Sequence, residues 1–275
     1  MNKSFVYGKD SNMMIPKRIH KIVFAALIIS VFSPTSVYAE PNDAGAFASR
    51  LIDEFPARFL SDANETFSKP NNLAALLLVG GAGIVMHNTD ADKNLNDNFQ
   101  HHRAFNDTTS DFFDLAGNPG IHLGATGLWY LVSQSNNDKP NQERAWSMLS
   151  ALAITDTGAF GLKLIVNTER PNGHDFSFPS VHTASSFCVA SMLDEYYGPQ
   201  VGIPAYLGAC MVGWRMMDSG DHWASDVLFS GTLGYIVGHT VAAKHKQIEI
   251  AGFKIEPLID IGSHPSTGIA LVKRF

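Results

Sequence analysis

Residues 142–167 read QERAWSMLSALAITDTGAFGLKLIVN and predict one long helix, which leads into a cluster of charged residues. No proline or turn dipeptide interrupts this mainly apolar stretch before Pro171. Residues 45–60 add an amphipathic helix, because large apolar side chains recur there every four residues. Further apolar segments of helical length occupy residues 73–86, 120–133, 180–197, 203–217 and 223–244. The sequence therefore predicts an all-α fold, a helical bundle.

The N-terminal region has the features of an export signal. Basic residues at 17–21 precede a short apolar run at 22–32, and a small-residue cleavage pattern ends at Ala39. We therefore assign residues 1–39 to a signal peptide. An uncleaved anchor helix is the alternative.

The remainder of the chain divides into a helical domain, residues 40–250, and a short tail, residues 251–275. Residues 254–261 and 267–275 have a β-like pattern and are separated by a Gly-Ser-His-Pro turn. The tail is therefore expected to form a small hairpin.

Composition and charge restrict the class of partner. The chain has 20 Lys and Arg against 26 Asp and Glu, a net charge of −6, and it lacks a basic tract, so nucleic acid is excluded as a partner. An anionic substrate must then be attracted by local cations. The apolar segments after the signal are short and carry polar residues, which fits a soluble or membrane-surface protein better than membrane spans.

Cys188 and Cys210 lie in predicted helices and are expected to be buried free thiols. The alternative is a disulfide, which an exported protein can form.

The first of three blocks that can carry chemistry supplies cations. Lys163 and Arg170 are seven residues apart, which places them on one face if the helix continues to Pro171. Such a pair can hold a phosphate, with Arg as a bidentate donor and Lys as a point charge. A solvated helix end is the alternative.

The other two blocks supply histidines. Ser180 is expected to cap a helix that carries His182 in its first turn, where an anion is favoured. His222 and Asp226 are four residues apart, so on a helix starting near Asp221 the carboxylate can orient the imidazole. Taken singly, each block also fits an ordinary capped helix or an exposed ion pair.

Together, the three blocks resemble the motifs of the type 2 phosphatidic acid phosphatase (PAP2) superfamily, which includes bacterial lipid phosphatases, class A acid phosphatases and vanadium haloperoxidases. That pattern is Lys-x6-Arg-Pro, then Pro-Ser-Gly-His, then Ser-Arg-x5-His-x3-Asp. Three departures occur: Val181 replaces Gly, Trp214 replaces Ser, and six residues separate Arg215 from His222. The resemblance implies a helical bundle of the PAP2, acid phosphatase and haloperoxidase type.

The resemblance also implies a role for each matching residue. His222 is the nucleophile that forms a phosphohistidine, Asp226 orients it, and His182 protonates the leaving group and then activates water. The residues implied to hold the phosphoryl oxygens are Lys163, Arg170, Ser180 and Arg215. No metal and no other cofactor is implied.

We therefore expect a metal-independent phosphatase, exported to the periplasm or associated with the cell-envelope membrane, acting on a phosphorylated lipid. A soluble acid phosphatase that takes small phosphoesters is the nearest alternative. A non-catalytic anion-binding envelope protein is the second, and a haloperoxidase is disfavoured by the length of the chain. The sequence leaves the ester and the oligomeric state open.

Two further features are interpreted as surface. Residues 90–101 begin like a calcium loop, but Leu95 stands where glycine is needed, so calcium binding is rejected. Residues 101–103, His-His-Arg, are expected to form an exposed loop, with a place at the site entrance as the alternative.

Overall fold

The computed structural model describes residues 41–246, 249–250, 253–260 and 266–272. Over this part of the chain the fold is all-α, as predicted, apart from a short β tail. The helices are α1 (Pro41–Asp53), α2 (Phe55–Ser68), α3 (Pro70–Asn88), α4 (Ala91–His101), α5 (Asp107–Ala116), α6 (Pro119–Ser135), α7 (Lys139–Val166), α8 (Val181–Tyr197), α9 (Pro199–Asp218) and α10 (Ala224–His245). The predicted signal peptide lies outside the described residues.

The centre of the bundle is the packing of α8 against α10, with α7 alongside both. Two glycines permit the close approach of α8 and α10. A Cβ on Gly234 would lie 2.0 Å from the carbonyl oxygen of Ala184, and one on Gly238 would lie 2.6 Å from that of Cys188. Because these two helices are locked together, the segments that precede them, which carry the second and third sequence blocks, are held at fixed positions.

Two helix predictions need correction. Residues 45–60 form parts of two helices, because the chain breaks at Glu54 and α2 restarts with Pro56 in its first turn. The polar stretch after α3, which carries no apolar periodicity, contains α4. Asp92 of α4 is buried and accepts hydrogen bonds from the backbone N–H and the hydroxyl of Ser225, at 3.0 and 2.6 Å. The helix α4 is therefore stabilised by a tertiary contact to the start of α10.

The C-terminal tail forms a three-stranded antiparallel sheet of β1 (Glu249–Ile250), β2 (Phe253–Asp260) and β3 (Ser266–Val272). The register of β2 and β3 runs from Lys254 opposite Val272 to Asp260 opposite Ser266. The predicted hairpin is thus present, with one additional short strand. Cys188 and Cys210 are both free, as expected, and Cys188 is buried, but Cys210 is exposed, so the prediction that it is buried is wrong.

An apolar surface lies on α3 and on the second half of α7. The side chains of Leu77, Leu78 and Ile84 are 76, 73 and 66% exposed, and Ile165 is 81% exposed. Among the described helices, α3 and α7 are long and apolar enough to cross a membrane, although 44% of the α7 window is buried inside the bundle. The burial of α7 accounts for much of its apolar character, whereas α3 has no such explanation.

Candidate active site

Lys163 lies in the last turn of α7 with its side chain buried. Its ammonium group donates hydrogen bonds to the carbonyl oxygens of Phe176 and Ser177, the latter at 3.0 Å, so the loop after α7 folds back over it. Burial and the charge of Arg170 lower the pKa of Lys163 to about 8, while Asp226 opposes that shift. Lys163 is thus a fixed cation near neutral pH that loses its charge under mildly alkaline conditions.

Arg170 reaches the site from a loop, so the condition that the helix continues to Pro171 is not met. The helix α7 ends at Val166, and Asn167 adopts a left-handed conformation with a φ of 42° that turns the chain away. The guanidinium of Arg170 lies 3.8 Å from Asp221 and is close enough to His222 to lower the pKa of that imidazole. Lys163 and Arg170 are therefore brought close together by the fold of the loop, and not by their spacing on one helix.

Ser180 caps α8, as predicted. Its hydroxyl accepts a hydrogen bond from the backbone N–H of Thr183 at 3.3 Å, and its own N–H donates to the hydroxyl of Ser230 at 2.7 Å. His182 follows in the first turn, with Nε2 3.7 Å from a carboxylate oxygen of Asp114. The cap holds His182 on a rigid helix end, where the helix dipole favours an anion.

His222 and Asp226 lie together, although not on one helix as predicted. The helix α10 begins at Ala224, so His222 precedes it. Asp226 accepts hydrogen bonds from the hydroxyl of Ser177 and from the N–H of Trp223, the latter at 3.0 Å. The distance from Nδ1 of His222 to Asp226 is 3.5 Å, and this nitrogen makes no hydrogen bond within the described residues. Such a contact commonly tightens when substrate binds.

The protonation state of His222 follows from its surroundings. Burial lowers the pKa of this imidazole; Asp226 opposes the shift, and Lys163 and Arg170 add to it. The ring is therefore neutral near physiological pH. With Nδ1 directed at Asp226, the proton is placed on that nitrogen and Nε2 is left with a free lone pair.

Arg215 lies in the last turn of α9 and is brought into the same site despite its shifted spacing. Its Nη1 lies 3.1 Å from Asp114 and 2.9 Å from Asp221, and its Nε donates to the hydroxyl of Ser110 at 3.2 Å. The additional residue of the third block is accommodated in the turn after α9, where Gly220 has a φ of 72°. All the predicted site residues thus belong to one region of the fold.

Sequence reasoning missed three residues of this region: Ser177, Asp114 and Asp221. Ser177 binds Asp226 from the loop before the second block. Asp114 comes from α5, far from the three blocks, and no spacing rule points to it. Asp221 could have been identified from the sequence, because it immediately precedes His222 in the third block, which has one residue more than the PAP2 pattern.

A second layer of polar residues lies behind His182. His122 of α6 donates from Nε2 to the carbonyl oxygen of Ala116 at 2.7 Å, so its Nδ1 accepts from the hydroxyl of Ser185, 2.9 Å away. Burial lowers the pKa of His122 to about 4, which keeps it neutral. The buried carboxyl of Asp156 also lies beside Ser185, and burial raises its pKa to about 7. This layer ties α5, α6, α7 and α8 together beneath the site.

No group of three or more His, Cys, Asp or Glu side chains with the arrangement of a metal site occurs in the described part of the chain. The segment that began like a calcium loop forms α4, and residues 101–103 are exposed.

The region that contains the site is similar to known proteins. Residues 144–249 match the model of the PAP2 superfamily, and this range contains all the predicted site residues. A 73-residue segment is 37% identical to a lipid A 1-phosphatase of Porphyromonas gingivalis and spans 25% of this chain but only 16% of that relative.

Two solved structures are similar in fold. One is the first transmembrane PAP2 type phosphatidylglycerolphosphate phosphatase from Bacillus subtilis, with a TM-score of 0.56 and 18% identity over 68% of this chain and 98% of that one. The other is LpxE of Aquifex aeolicus, with a TM-score of 0.46 and 19% identity over 56% of this chain and 94% of that one. The first of these likenesses supports the helical-bundle fold.

Proposed function

We propose that this chain, which carries a PAP2 superfamily domain, is a metal-independent phosphatase that hydrolyses a phosphomonoester or diphosphate of a lipid. The observation that carries the proposal is the position of a neutral imidazole, His222, beside a buried carboxylate and within electrostatic reach of Lys163 and Arg170. Phosphoryl transfer is promoted by a nucleophile in line with the leaving group and by cations that are positioned in advance.

The reaction has two steps. In the first, Nε2 of His222 attacks phosphorus, the bond from phosphorus to the ester oxygen breaks, and His182 gives its proton to the departing alkoxide. In the second, His182 takes a proton from water as the water attacks the phosphohistidine, which releases inorganic phosphate and restores His222. Asp226 stabilises the positive charge that His222 acquires in between.

The cations act on the charge that develops on the phosphoryl oxygens. Lys163, Arg170 and Arg215 bind these oxygens, and Ser180 donates its hydroxyl proton to one of them. Because the three cations are held by loop and helix contacts before substrate arrives, little reorganisation is needed in the transition state.

A lipid substrate is favoured by an apolar groove of about 620 Å³ whose lining includes Asp226, the carboxylate beside His222. Its walls come from α3, the end of α7 and the start of α10, and Asp226 and Trp223, which flank His222, are among the lining residues. Leu73, Leu77 and Ile84 line one side of the groove and remain exposed. A hydrocarbon chain placed there would bury this exposed apolar surface next to the site.

Export and association with the cell-envelope membrane follow from the leader-like N-terminus and from the exposed apolar face of α3. The relatives named as lipid phosphatases support the same assignment of substrate class. This chain spans only 16% of the length of the lipid A 1-phosphatase that it matches.

A panel of long-chain and short-chain phosphate esters tests the proposal when assayed with EDTA present. We expect release of phosphate from the long-chain esters, unaffected by EDTA and abolished by His222→Ala. Preference for nucleotides or nitrophenyl phosphate over every lipid would instead support the soluble acid phosphatase. Equal release by wild type and His222→Ala would contradict any reaction at this site.

The groove has its own test with a matched control. Leu77→Glu places a charge in the groove, and Leu207→Glu places one at an exposed position on α9 that does not line it. We expect Leu77→Glu to raise KM for long-chain esters about ten-fold or more, with little effect on a short-chain ester. Leu207→Glu should resemble wild type. Equal effects of Leu77→Glu on both esters would remove the groove from substrate binding.

A further inference from the structure

Asp221 lies between two of the cations assigned to the phosphoryl group. One carboxylate oxygen lies 2.9 Å from Nη1 of Arg215, and the other lies 3.8 Å from Nη1 of Arg170. A carboxylate in this position has the charge and the oxygen spacing of part of a phosphate. It therefore occupies space that phosphoryl oxygens need in order to bind both guanidinium groups.

Further contacts hold Asp221 in this place. The hydroxyl of Ser219 donates to it at 2.6 Å, and the amide of Asn172 donates to it at 3.2 Å. Asn172 itself is tied to the same turn through its backbone N–H, which donates to the carbonyl oxygen of Gly220 at 3.1 Å. The carboxylate is thus positioned by its own turn and by the loop that carries Arg170, and is not a freely rotating surface group.

The lengthened third block explains why an acidic residue can stand there. Six residues separate Arg215 from His222, and Asp221 is the last of them. The turn that accommodates the additional residue directs both Asp221 and His222 back under α9, since both backbone N–H groups lie 3.1 Å from the carbonyl oxygen of Met216. Asp221 and the nucleophile therefore enter the site on one turn.

We propose that Asp221 is a specificity-determining residue: an internal anion that competes with the bound phosphoryl group for Arg170 and Arg215. This inference rests on the proposed function and deepens it. A substrate must displace or share the contacts of Asp221, so the phosphoryl group alone binds weakly. An ester with a large apolar leaving group has additional binding energy from the groove, whereas inorganic phosphate has none. Asp221 thereby weakens the binding of inorganic phosphate and accelerates product release, while contacts in the groove keep the lipid ester bound.

Removal of the charge at constant size tests this role. Asp221→Asn should bind inorganic phosphate about three- to ten-fold more tightly than wild type by isothermal titration calorimetry, a change of roughly 0.7 to 1.4 kcal/mol. Inorganic phosphate should become a stronger product inhibitor by a similar factor. Asp221→Glu, which keeps the charge, should retain an affinity within about two-fold of wild type.

A purely structural role for Asp221 makes the opposite prediction. If the carboxylate only supports the turn that carries His222, its loss would weaken phosphate binding or leave it unchanged and would lower kcat. Asp218→Asn is the matched control, because Asp218 accepts from Ala104 N–H at 2.8 Å beside the same turn and forms no ion pair in the described residues. We expect that control to lower the melting temperature without tightening phosphate binding.

Asp221→Ser provides a second charge-removing variant if Asp221→Asn does not fold, with the same expectation. Unchanged or weaker phosphate binding in a folded charge-removing variant would overturn the inference. Calorimetry with phosphate needs no turnover, so it reports on Asp221 even where His222-dependent hydrolysis is absent, and the two proposals fail separately.

Discussion

The carboxylate of Asp114 on α5 lies between two groups of the site. It is 3.7 Å from Nε2 of His182 on α8 and 3.1 Å from Nη1 of Arg215. Burial lowers the pKa of His182, and Asp114 is the strongest of the neighbours that oppose this shift, while His222 and Arg215 reinforce it. A helix outside the three sequence blocks therefore raises the pKa of His182, the residue that we propose protonates the leaving group.

Asp114→Asn is expected to move the alkaline limb of the kcat profile to lower pH. His182 must be protonated to act as the acid, and it loses this proton as the pH rises through its pKa. Removal of the negative charge lowers that pKa further, so activity declines at a more acidic pH. The measurement is kcat against pH for a long-chain ester. Asp111→Asn, an exposed carboxylate on the same helix, serves as the control. A profile of Asp114→Asn that coincides with wild type would show that Asp114 does not act on His182.

His182→Gln is expected to separate the two steps of the reaction. Nitrophenolate leaves without a proton donor, so the variant should still transfer the phosphoryl group from nitrophenyl phosphate to His222 in one rapid burst. Subsequent turnover should be slower by about 10²- to 10⁴-fold, because no base activates water. With an alkyl phosphate both steps need His182, and no burst is expected. Stopped-flow absorbance measures the nitrophenolate burst, and rapid quenching measures the alcohol released from the alkyl ester. Absence of a burst with nitrophenyl phosphate would refute the assigned role.

Asp156→Asn is expected to alter the pH dependence of stability. Burial raises the pKa of Asp156 to about 7 in the fold from 3.8, so between those values the folded protein binds more protons than the unfolded one. The contribution of Asp156 to the stability of wild type therefore falls as the pH rises through this window and is constant above it. The isosteric variant lacks the titrating group.

Relative to wild type, Asp156→Asn should gain about 2 to 4 kcal/mol between pH 4 and pH 8, because one pKa unit corresponds to roughly 1.4 kcal/mol. Urea unfolding at several pH values measures this difference, and Asp111→Asn is again the control. A difference between variant and wild type that stays constant with pH would show that Asp156 does not titrate with a raised pKa.

The local patterns of the chain predicted the helices that are apolar along their length. The end of α7 was predicted to within one residue, but the left-handed conformation of Asn167 was not, and it places Arg170 in a loop. The apolar segment of α10 was also predicted, but His222 lies before its first turn. The pairing of His222 with Asp226 was thus predicted for a reason that does not hold, while the proximity itself is present.

The carboxylates of the site show a different limit. Asp114 reaches His182 through the packing of α5 and α9, a long-range contact that no local spacing encodes. Asp92 lies in the segment that begins like a calcium loop, yet it is buried and binds Ser225 at the start of α10. Sequence motifs identified the groups that we propose hold and attack a phosphate, whereas the residues that position those groups come from tertiary packing.

Capture of a phosphoryl adduct on His222 is the most direct measurement of the proposed chemistry. After rapid quenching with a radiolabelled substrate, we expect a label that is labile in acid and stable in alkali, located on His222 by mass spectrometry. His182→Gln should accumulate this label with nitrophenyl phosphate, and His222→Ala should lack both label and turnover. Turnover by wild type with the label on another residue, or continued turnover by folded His222→Ala, would contradict phosphoryl transfer to this imidazole.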